Sequence, residues 1–385
     1  MLELLRSFSF RPLACVWELT LTCNLHCKHC GSFAGPRREE ELDLEECLDL
    51  ADQLAALGCE RVTLGGGEPT LHPHWHEIGR RLTDRGVQVN IISNGWRWTE
   101  AELERARHAR LASVAFSLDG FEQDHDFMRR EGSFARVVEA IDRSVAAGLP
   151  AAANTTVNSR NRRSLPELLQ LLVSHGVFGW QIQFGTPTGE LALHPELVIE
   201  PQDLLWLVPQ IAELRSSQSA LEILPGDDVG YYGRFEEALR QRGGPIPFWI
   251  GCRAGCQVIG IESNGNIKGC LSLPSARNDE DRFVEGNVRH SSLEQIWNRP
   301  GAFAYNRELS EQQVGGFCSV CRYRTYCRGG CTWTAFAHTG GSGGEGEQSR
   351  RDNSYCFYRQ AVAATRHELL DEPPTPQELA FFSPK

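Results

Sequence analysis

A chain of 385 residues with 41% hydrophobic and 23% charged side chains can bury a large core, enough for an α/β barrel of about 200–250 residues and a smaller domain. The formal net charge of −11 argues against a nucleic-acid partner, since phosphate backbones are met by positive surfaces. Met1 to Leu21 is interrupted by Glu3, Arg6, Arg11, Pro12 and Glu18, so it has no signal-peptide core; no segment reads as a membrane span, and the expected compartment is the cytoplasm, where 14 cysteines point to metal ligation or free thiols.

Between residues 13 and 185, short apolar, β-branched runs alternate with longer segments of helical period. Strands are expected over 14–20, 61–64, 88–93, 113–118, 151–156 and 179–184, and helices over 44–57, 74–85, 100–108, 133–147 and 165–175. The last helix opens Ser164-Leu165-Pro166-Glu167, a capping hydroxyl followed by an early proline and an acid. Regular βα alternation implies a parallel sheet with right-handed crossovers, and about six units fall short of the eight that close a TIM barrel. The fold is therefore read as α/β, a partial (β/α)6 TIM barrel over 1–190. Residues 191–250 read as a bridging helical segment, with helices over 204–214 and 235–242. From Gly251 the texture changes to cysteine, glycine and short segments. This predicts a domain over 251–360 held by metal and not by a core, with a flexible glycine-rich loop at 340–347. Residues 361–385 are expected to form a loosely ordered tail. No internal repeat is found.

The chemistry concentrates in loops that follow strands. After the first strand comes Cys23-x3-Cys27-x2-Cys30, three thiolates on one short loop. A cubane iron–sulfur cluster takes one cysteine per iron, so three leave one iron open, as a catalytic zinc keeps a free position. A zinc site completed by His26 or His29 is the alternative. The second strand ends in Gly65-Gly66-Gly67-Glu68-Pro69, a bend with exposed backbone and one carboxylate; the fourth ends in Ser117-Leu118-Asp119-Gly120. In an α/β barrel such loops emerge at one rim, where barrels place their chemistry. The cysteines, Glu68, Ser117 and Asp119 can thus converge on one ligand.

In that order the motifs resemble those of radical S-adenosylmethionine (SAM) enzymes, over residues 13–185. The resemblance implies that Cys23, Cys27 and Cys30 hold a [4Fe–4S] cluster whose open iron is chelated by SAM. One electron then splits the sulfonium to give a 5′-deoxyadenosyl radical. It also implies that Gly66, Gly67, Glu68 and Pro69 form the G-G-E-P motif that meets the methionyl amino group. Ser93-Asn94-Gly95 would stand for the T-N-G motif of the third strand, and Ser117 and Asp119 would lie near the methionyl and ribose groups. In His125-Asp126-Phe127-Met128-Arg129-Arg130, Arg129 sits where related enzymes carry H-D-x-x-R. Its fork is expected to meet the SAM carboxylate, with a surface salt bridge as the alternative.

A second set, Cys318-x2-Cys321-x5-Cys327-x3-Cys331, has Cys252, Cys256 and Cys270 upstream and Cys356 downstream. It resembles the SPASM extension of peptide-modifying radical SAM enzymes. By analogy, one auxiliary [4Fe–4S] cluster takes Cys252, Cys256, Cys270 and Cys331, and another takes Cys318, Cys321, Cys327 and Cys356, giving three clusters in all. Full ligation suits electron transfer; two zincs are the alternative. Cys15, Cys47 and Cys59 remain and are expected to be small buried hydrophobes. Sulfatase-maturing relatives carry an aspartate base where Leu271 follows Cys270, so formylglycine formation is disfavoured. Candidate bases are Asp227 and Asp228, a carboxylate pair able to share a proton; a turn or helix cap explains the pair equally well. Trp96, Trp98 and Trp180 are expected in buried packing, and Arg37-Arg38 on a solvated face.

The resemblance implies an oxidoreductase-type maturase that takes a hydrogen from a side chain or α-carbon of a ribosomally synthesised peptide and leaves a crosslinked or oxidised product. The implied partners are a precursor peptide or protein substrate and an external low-potential electron donor, a flavodoxin or ferredoxin. Only 22 residues precede Cys23, too few for a leader-gripping domain, so the barrel edge, the bridging helices or a separate leader-binding protein is expected to serve. The alternatives are maturation of a protein subunit or cofactor-precursor peptide, and a non-catalytic iron–sulfur or zinc scaffold. No nucleic-acid or membrane partner is expected.

Overall fold

The strands are β1 (Ala14–Thr20), β2 (Arg61–Gly66), β3 (Gln88–Ser93), β4 (Ser113–Ser117), β5 (Ala151–Val157), β6 (Gly179–Phe184), β7 (Glu222–Pro225), β8 (Val258–Ile261), β9 (Asn266–Lys268) and β10 (Gly286–Asn287). They belong to a computed structural model that describes residues 10–217, 220–240, 248–273, 282–338 and 350–383. The glycine-rich loop expected at 340–347, and the end of the helix expected over 235–242, lie outside the described residues. Two units make up the chain, neither continuous in sequence. The first takes in residues up to His26, Ala34–Ala115 and Arg253–Glu308; the second takes in Cys27–Phe33, Phe116–Cys252 and everything from Leu309.

In the first unit β1 pairs in parallel with β2, and β2 with β3. Cys15, Trp17 and Leu19 are buried on one face of β1 and Glu18 and Thr20 on the other, as expected of a parallel strand covered on both faces. The intervening helix α1 (Leu44–Ala56) starts at Asp43, which accepts from the Glu46 N–H while Glu46 reaches back, a reciprocal cap. Its buried side is Cys47, Leu50, Ala51 and Leu54, one helical face. Helices α2 (Trp75–Asp84) and α3 (Glu100–Ala109) follow β2 and β3. On the other side of β1 lies β8, also parallel, with Ala14 opposite Val258 and Trp17 opposite Ile261. The antiparallel β9 and β10 continue from it. The start of the cysteine-rich segment is therefore part of the sheet that β1 organises. The first residues of β4 also belong here: the Ala112 N–H donates to the Val89 carbonyl at 2.8 Å.

In the second unit β5, β6 and β7 are parallel neighbours, in register from Ala152 opposite Gly179 to Ile182 opposite Pro225. Leu118, just past β4, donates to the Asn154 carbonyl of β5 at 2.9 Å. Helices α4 (Glu122–Met128), α5 (Ser133–Ala146), α6 (Leu165–Ser174) and α7 (Leu204–Ser217) complete the βα pattern. The segment expected to be purely helical thus contains a strand, β7. Two further expectations are corrected. Tyr231, Tyr232, Trp249, Phe317 and Tyr358 pack with Cys321, Cys327 and Cys331 into a buried cluster, so the cysteine-rich part has an apolar core of its own. The tail carries the helix Pro376–Phe382, capped by Thr375. Its Glu378 is fully buried, accepting from the Arg322 N–H at 2.8 Å and the Tyr358 hydroxyl at 3.1 Å. Among the described residues no helix is long and apolar enough to cross a membrane.

Candidate active site

The loop after β1 is shaped by the glycines that follow β2. A Cβ on Gly67 would fall 2.5 Å from the Leu21 carbonyl and onto that of Thr22, and a Cβ on Gly66 would strike the Thr20 carbonyl. With no side chain in the way, the Gly67 N–H reaches Thr20 O and the Glu68 N–H reaches Thr22 O, both at 2.8 Å. Glu68 itself is buried at the start of the turn Pro69–Leu71. One of its oxygens accepts from the Thr70 hydroxyl at 2.7 Å and the Ser93 hydroxyl at 2.9 Å; the other accepts from the Asn94 N–H at 2.7 Å. Burial raises its pKa, and these donors work against that rise. Asn94 in turn donates to Asn24 at 2.8 Å and lies 3.9 Å from the Cys23 sulfur. The structure therefore brings Gly66, Gly67, Glu68, Pro69, Ser93, Asn94 and Cys23 together.

In the second unit Asp119, Arg129, Cys27 and Cys30 form another group. Asp119 has no exposed side-chain surface; it accepts from Arg129 Nε at 2.6 Å, the Thr156 N–H at 2.8 Å and lies 3.1 Å from His29 Nε2. Burial alone would raise its pKa, but Arg129 and His29 outweigh burial and hold it well below the ordinary carboxylate range. His125 accepts from the Asp119 N–H, and burial, helped by Arg129, lowers it to about 4. The remaining guanidinium nitrogens of Arg129 face Cys27 Sγ at 3.8 Å and His29 Nε2 at 3.2 Å. The fork expected to meet a SAM carboxylate is here a buried ion pair beside the Cys27 thiol, not a surface salt bridge. Lys28 and Cys30 tie the loop down, the first donating to Met128 O at 2.9 Å and the second accepting from the Glu190 N–H at 2.8 Å. Ser117 is half-buried at the end of β4.

The auxiliary cysteines fall into three groups. Cys318, Cys321, Cys327 and Cys356 lie together, with Cys356 raising the pKa of the other three; burial comes first and lifts Cys318 to about 12 and Cys356 to about 11. Cys331 is hydrogen-bonded to Cys252, which with burial holds its thiol well up. Cys256 and Cys270 flank a close approach in the first unit, where a Cβ on Gly269 would come within 2.7 Å of the Gly255 nitrogen. Among the described residues no three His, Cys, Asp or Glu side chains close on a single ion. Cluster thiolates need not do so, because each caps a different iron of a cube. Backbone and side-chain N–H groups directed at sulfur suit thiolates: the Leu25 N–H lies 3.4 Å from Cys23 Sγ and the Ser272 N–H 3.4 Å from Cys270 Sγ. The residues present fit iron–sulfur clusters. Cys15, Cys47 and Cys59 differ, being 5% exposed or less; burial lifts Cys47 to about 12 and Cys59 to about 11, so they are inert thiols.

Asp227 and Asp228 part company. Asp227 is exposed and its carbonyl accepts from the Tyr231 hydroxyl. Asp228 is buried after β7, accepts from the Phe184 N–H at 2.7 Å, and is lifted by burial to about 7. Trp180 and Trp98 are packed inside, as expected. Of the basic pair, Arg37 reaches Glu41 at 2.9 Å, while Arg38 is mostly buried, 2.8 Å from Glu18 and 3.5 Å from Glu262. Glu262 also holds the fully buried Lys268 at 3.0 Å. Glu41 accepts from the Leu21 N–H and the Thr20 hydroxyl and so anchors the cysteine loop from below. Sequence analysis missed Glu18, Glu41, Glu262 and Lys268. Glu18 within an apolar strand was a usable signal, since a buried charge needs a partner.

These elements define an enzyme class. Residues 17–172 match the radical SAM superfamily and residues 252–322 match the SPASM iron–sulfur cluster-binding domain, and the chain belongs to the radical SAM superfamily. Its cofactors are SAM, the [4Fe–4S] cluster that binds it, and the auxiliary iron–sulfur clusters of the SPASM domain. The mycofactocin maturase MftC of Mycobacterium ulcerans is 31% identical over 333 residues, covering 84% of each chain. The AdoMet-dependent heme synthase of Methanosarcina barkeri is 28% identical over 359 residues, 90% of this chain and 97% of that one. Streptococcus suis SuiB bound to SAM shares the fold with a TM-score of 0.70 at 16% identity, over 90% of this chain and 77% of that one. The complex of SuiB with its precursor peptide SuiA gives 0.71 at 15%, over 92% and 78%.

Proposed function

We propose that this enzyme is a peptide maturase that installs a crosslink or an oxidation in a ribosomally synthesised precursor. The observation that carries the reading is the 31% identity to a mycofactocin maturase across 84% of both chains, joined to the eight cysteines from Cys252 to Cys356. When bound, the first cluster and SAM supply a 5′-deoxyadenosyl radical that takes hydrogen from a peptide C–H bond. In this reading Cys23, Cys27 and Cys30 hold that cluster, and Gly66 and Gly67 keep the loop low enough to expose backbone to the methionyl group. Glu68 and Ser93 brace Asn94, and Asp119 fixes Arg129 against Cys27. Asp228, lifted to about 7, holds or accepts the proton released as the peptide product forms. Cys252, Cys256, Cys270 and Cys331 would hold one auxiliary cluster and Cys318, Cys321, Cys327 and Cys356 the other, and these clusters would supply an acceptor for the second electron. Functionally the chain divides into 1–190 for SAM, 191–250 as a bridge, 251–360 for the auxiliary clusters and 361–385 as a closing tail. A cytoplasmic flavodoxin or ferredoxin supplies electrons, and a separate leader-binding protein presents the precursor.

The test is anaerobic incubation of the reduced, reconstituted enzyme with SAM and the small peptides encoded beside its gene. Release of 5′-deoxyadenosine together with a peptide lighter by two hydrogens is expected. Release without any change in peptide mass, across every neighbouring peptide, would sink the substrate assignment. A second reading has its own support: the heme synthase match spans 97% of that enzyme, and a tetrapyrrole precursor would then be the substrate. It predicts a shift in porphyrin absorbance where the peptides give no product.

A further inference from the structure

Between the second auxiliary cysteines and Cys356 the chain runs as a strap, residues 350–353, laid along the cysteine loops. The Gly315 N–H donates to Arg351 O at 3.0 Å, and the Arg351 N–H donates to Gln313 O at 2.8 Å. Two glycine pairs make the room. A Cβ on Gly315 would fall 2.7 Å from Arg350 Cβ, one on Gly329 2.8 Å from the Arg351 side chain, one on Gly330 2.8 Å from Asn353 Nδ2, and one on Gly316 would strike the Asp352 carboxylate. Each side chain of the strap is thereby fixed in place. Asp352 spends its oxygens on Arg359 at 2.8 Å and the Cys318 N–H at 3.4 Å.

Asn353 is different. It is 1% exposed, and its Oδ1 accepts from the Tyr355 N–H at 2.9 Å. That bond settles which end of the amide is oxygen and leaves Nδ2 on the other side. Among the described residues Nδ2 has no partner. A buried amide N–H left unpaired keeps its desolvation cost with nothing to offset it, so an acceptor is called for. The surroundings say which kind. The Asn353 backbone N–H is already bonded to the Cys318 sulfur, and Nδ2 lies over Gly330, whose N–H donates to the Cys327 carbonyl at 3.2 Å. Cys318 belongs to one four-cysteine group, and Gly330, which precedes Cys331, is bonded to Cys327 of that same group; the acceptor that such a group brings is cluster sulfur.

We propose that Asn353 is a potential-setting residue: its side-chain amide donates to sulfur of the auxiliary cluster held by Cys318, Cys321, Cys327 and Cys356. The inference rests on that cluster assignment. A donor on cluster sulfur offsets the added negative charge of the reduced state, so it raises the reduction potential. The cluster then accepts the substrate electron more readily.

Two variants test this in the full-length, reconstituted enzyme. N353D keeps an oxygen for the Tyr355 N–H but removes the donor; N353S keeps that turn through its hydroxyl and is too short to reach the cluster. Iron content and a redox titration followed by electron paramagnetic resonance are read for each, beside wild type. In both variants one auxiliary midpoint should move to a more negative potential, while the SAM-cluster midpoint and 5′-deoxyadenosine release stay unchanged. Three unmoved midpoints at full iron content overturn the proposal. So does loss of about four irons per chain in both variants, which makes Asn353 a scaffold residue. A wild-type enzyme holding only about four irons defeats the cluster assignment itself, a separate failure.

Discussion

Gly67 has no room for a side chain beneath the loop that follows β1. Its missing Cβ is the space occupied by the carbonyls of Leu21 and Thr22, and backbone cannot yield as a side-chain tip can. G67A should push the cysteine loop off β2, at a cost of about 1–3 kcal/mol for the forced overlap. Iron analysis should then show about four fewer irons per chain, with no 5′-deoxyadenosine released; a fully loaded, active G67A would show that the loop accommodates the methyl group. Asp228 makes the opposite kind of prediction, about chemistry without a change in fold. Asparagine still accepts from the Phe184 N–H, so D228N should keep its clusters and its SAM cleavage. Product formation should fall about 100-fold or more if the carboxylate is the base. In wild type, that same rate should rise with pH through about 7, where Asp228 ionises. Equal product yields for D228N and wild type would return Asp228 to a purely structural role.

At the scale of elements, the helix Pro376–Phe382 shows how a short terminal piece can serve a distant loop. Pro373, Pro374 and Pro376 conceal it in the sequence, yet Thr375 caps it by accepting from the Glu378 N–H, and Glu378 accepts in turn from the Thr375 N–H at 2.7 Å. Glu378 then accepts from the backbone of Arg322, the residue after Cys321, and from Tyr358, the second residue after Cys356. Phe381 and Phe382 pack on Phe317, beside Cys318. The helix thus braces both ends of one cysteine group. E378A leaves the Arg322 N–H and the Tyr358 hydroxyl buried without an acceptor, which should cost about 3–5 kcal/mol. The variant should melt several degrees lower and lose iron to a chelator faster than wild type, with E378Q intermediate. Unchanged iron release in E378A would mean that the cysteine group holds its shape without the helix.

For the whole molecule, what is legible in sequence is what is local. β1 to β6 and five of the helices announce themselves by period and caps, and their ends move by a residue or two. The cysteine sets stand out in the sequence by their spacing alone. β7 and β8 are only four residues long and owe their existence to partners, β6 and β1, far away in the chain. The Ser263-Asn264-Gly265 turn after β8 was the one local signal of that hairpin. Buried charges such as Lys268 have no period at all. The same burial that hides such groups from sequence fixes how the fold responds to acid. His72, His125 and His338 are each held near 4 by burial, against an ordinary 6.5. The folded state keeps them neutral while the unfolded chain takes up their protons, so their contribution is whole above about pH 6.5 and is lost as pH falls toward 4. Asp228, lifted to about 7, acts the other way and favours the fold as pH drops. Glu68, also raised by burial, acts with Asp228, and the three histidines outweigh both: near pH 5 unfolding should take up about one to two net protons, roughly 1–3 kcal/mol per pH unit. Anaerobic melting of the intact enzyme should therefore show a falling midpoint from pH 6.5 to 5. H72Q, whose amide oxygen can still accept from the His74 N–H, should make that fall shallower by about one proton. A midpoint that is flat or rises over this interval would mean that the histidines are charged in the folded state and that their burial is relieved by solvent.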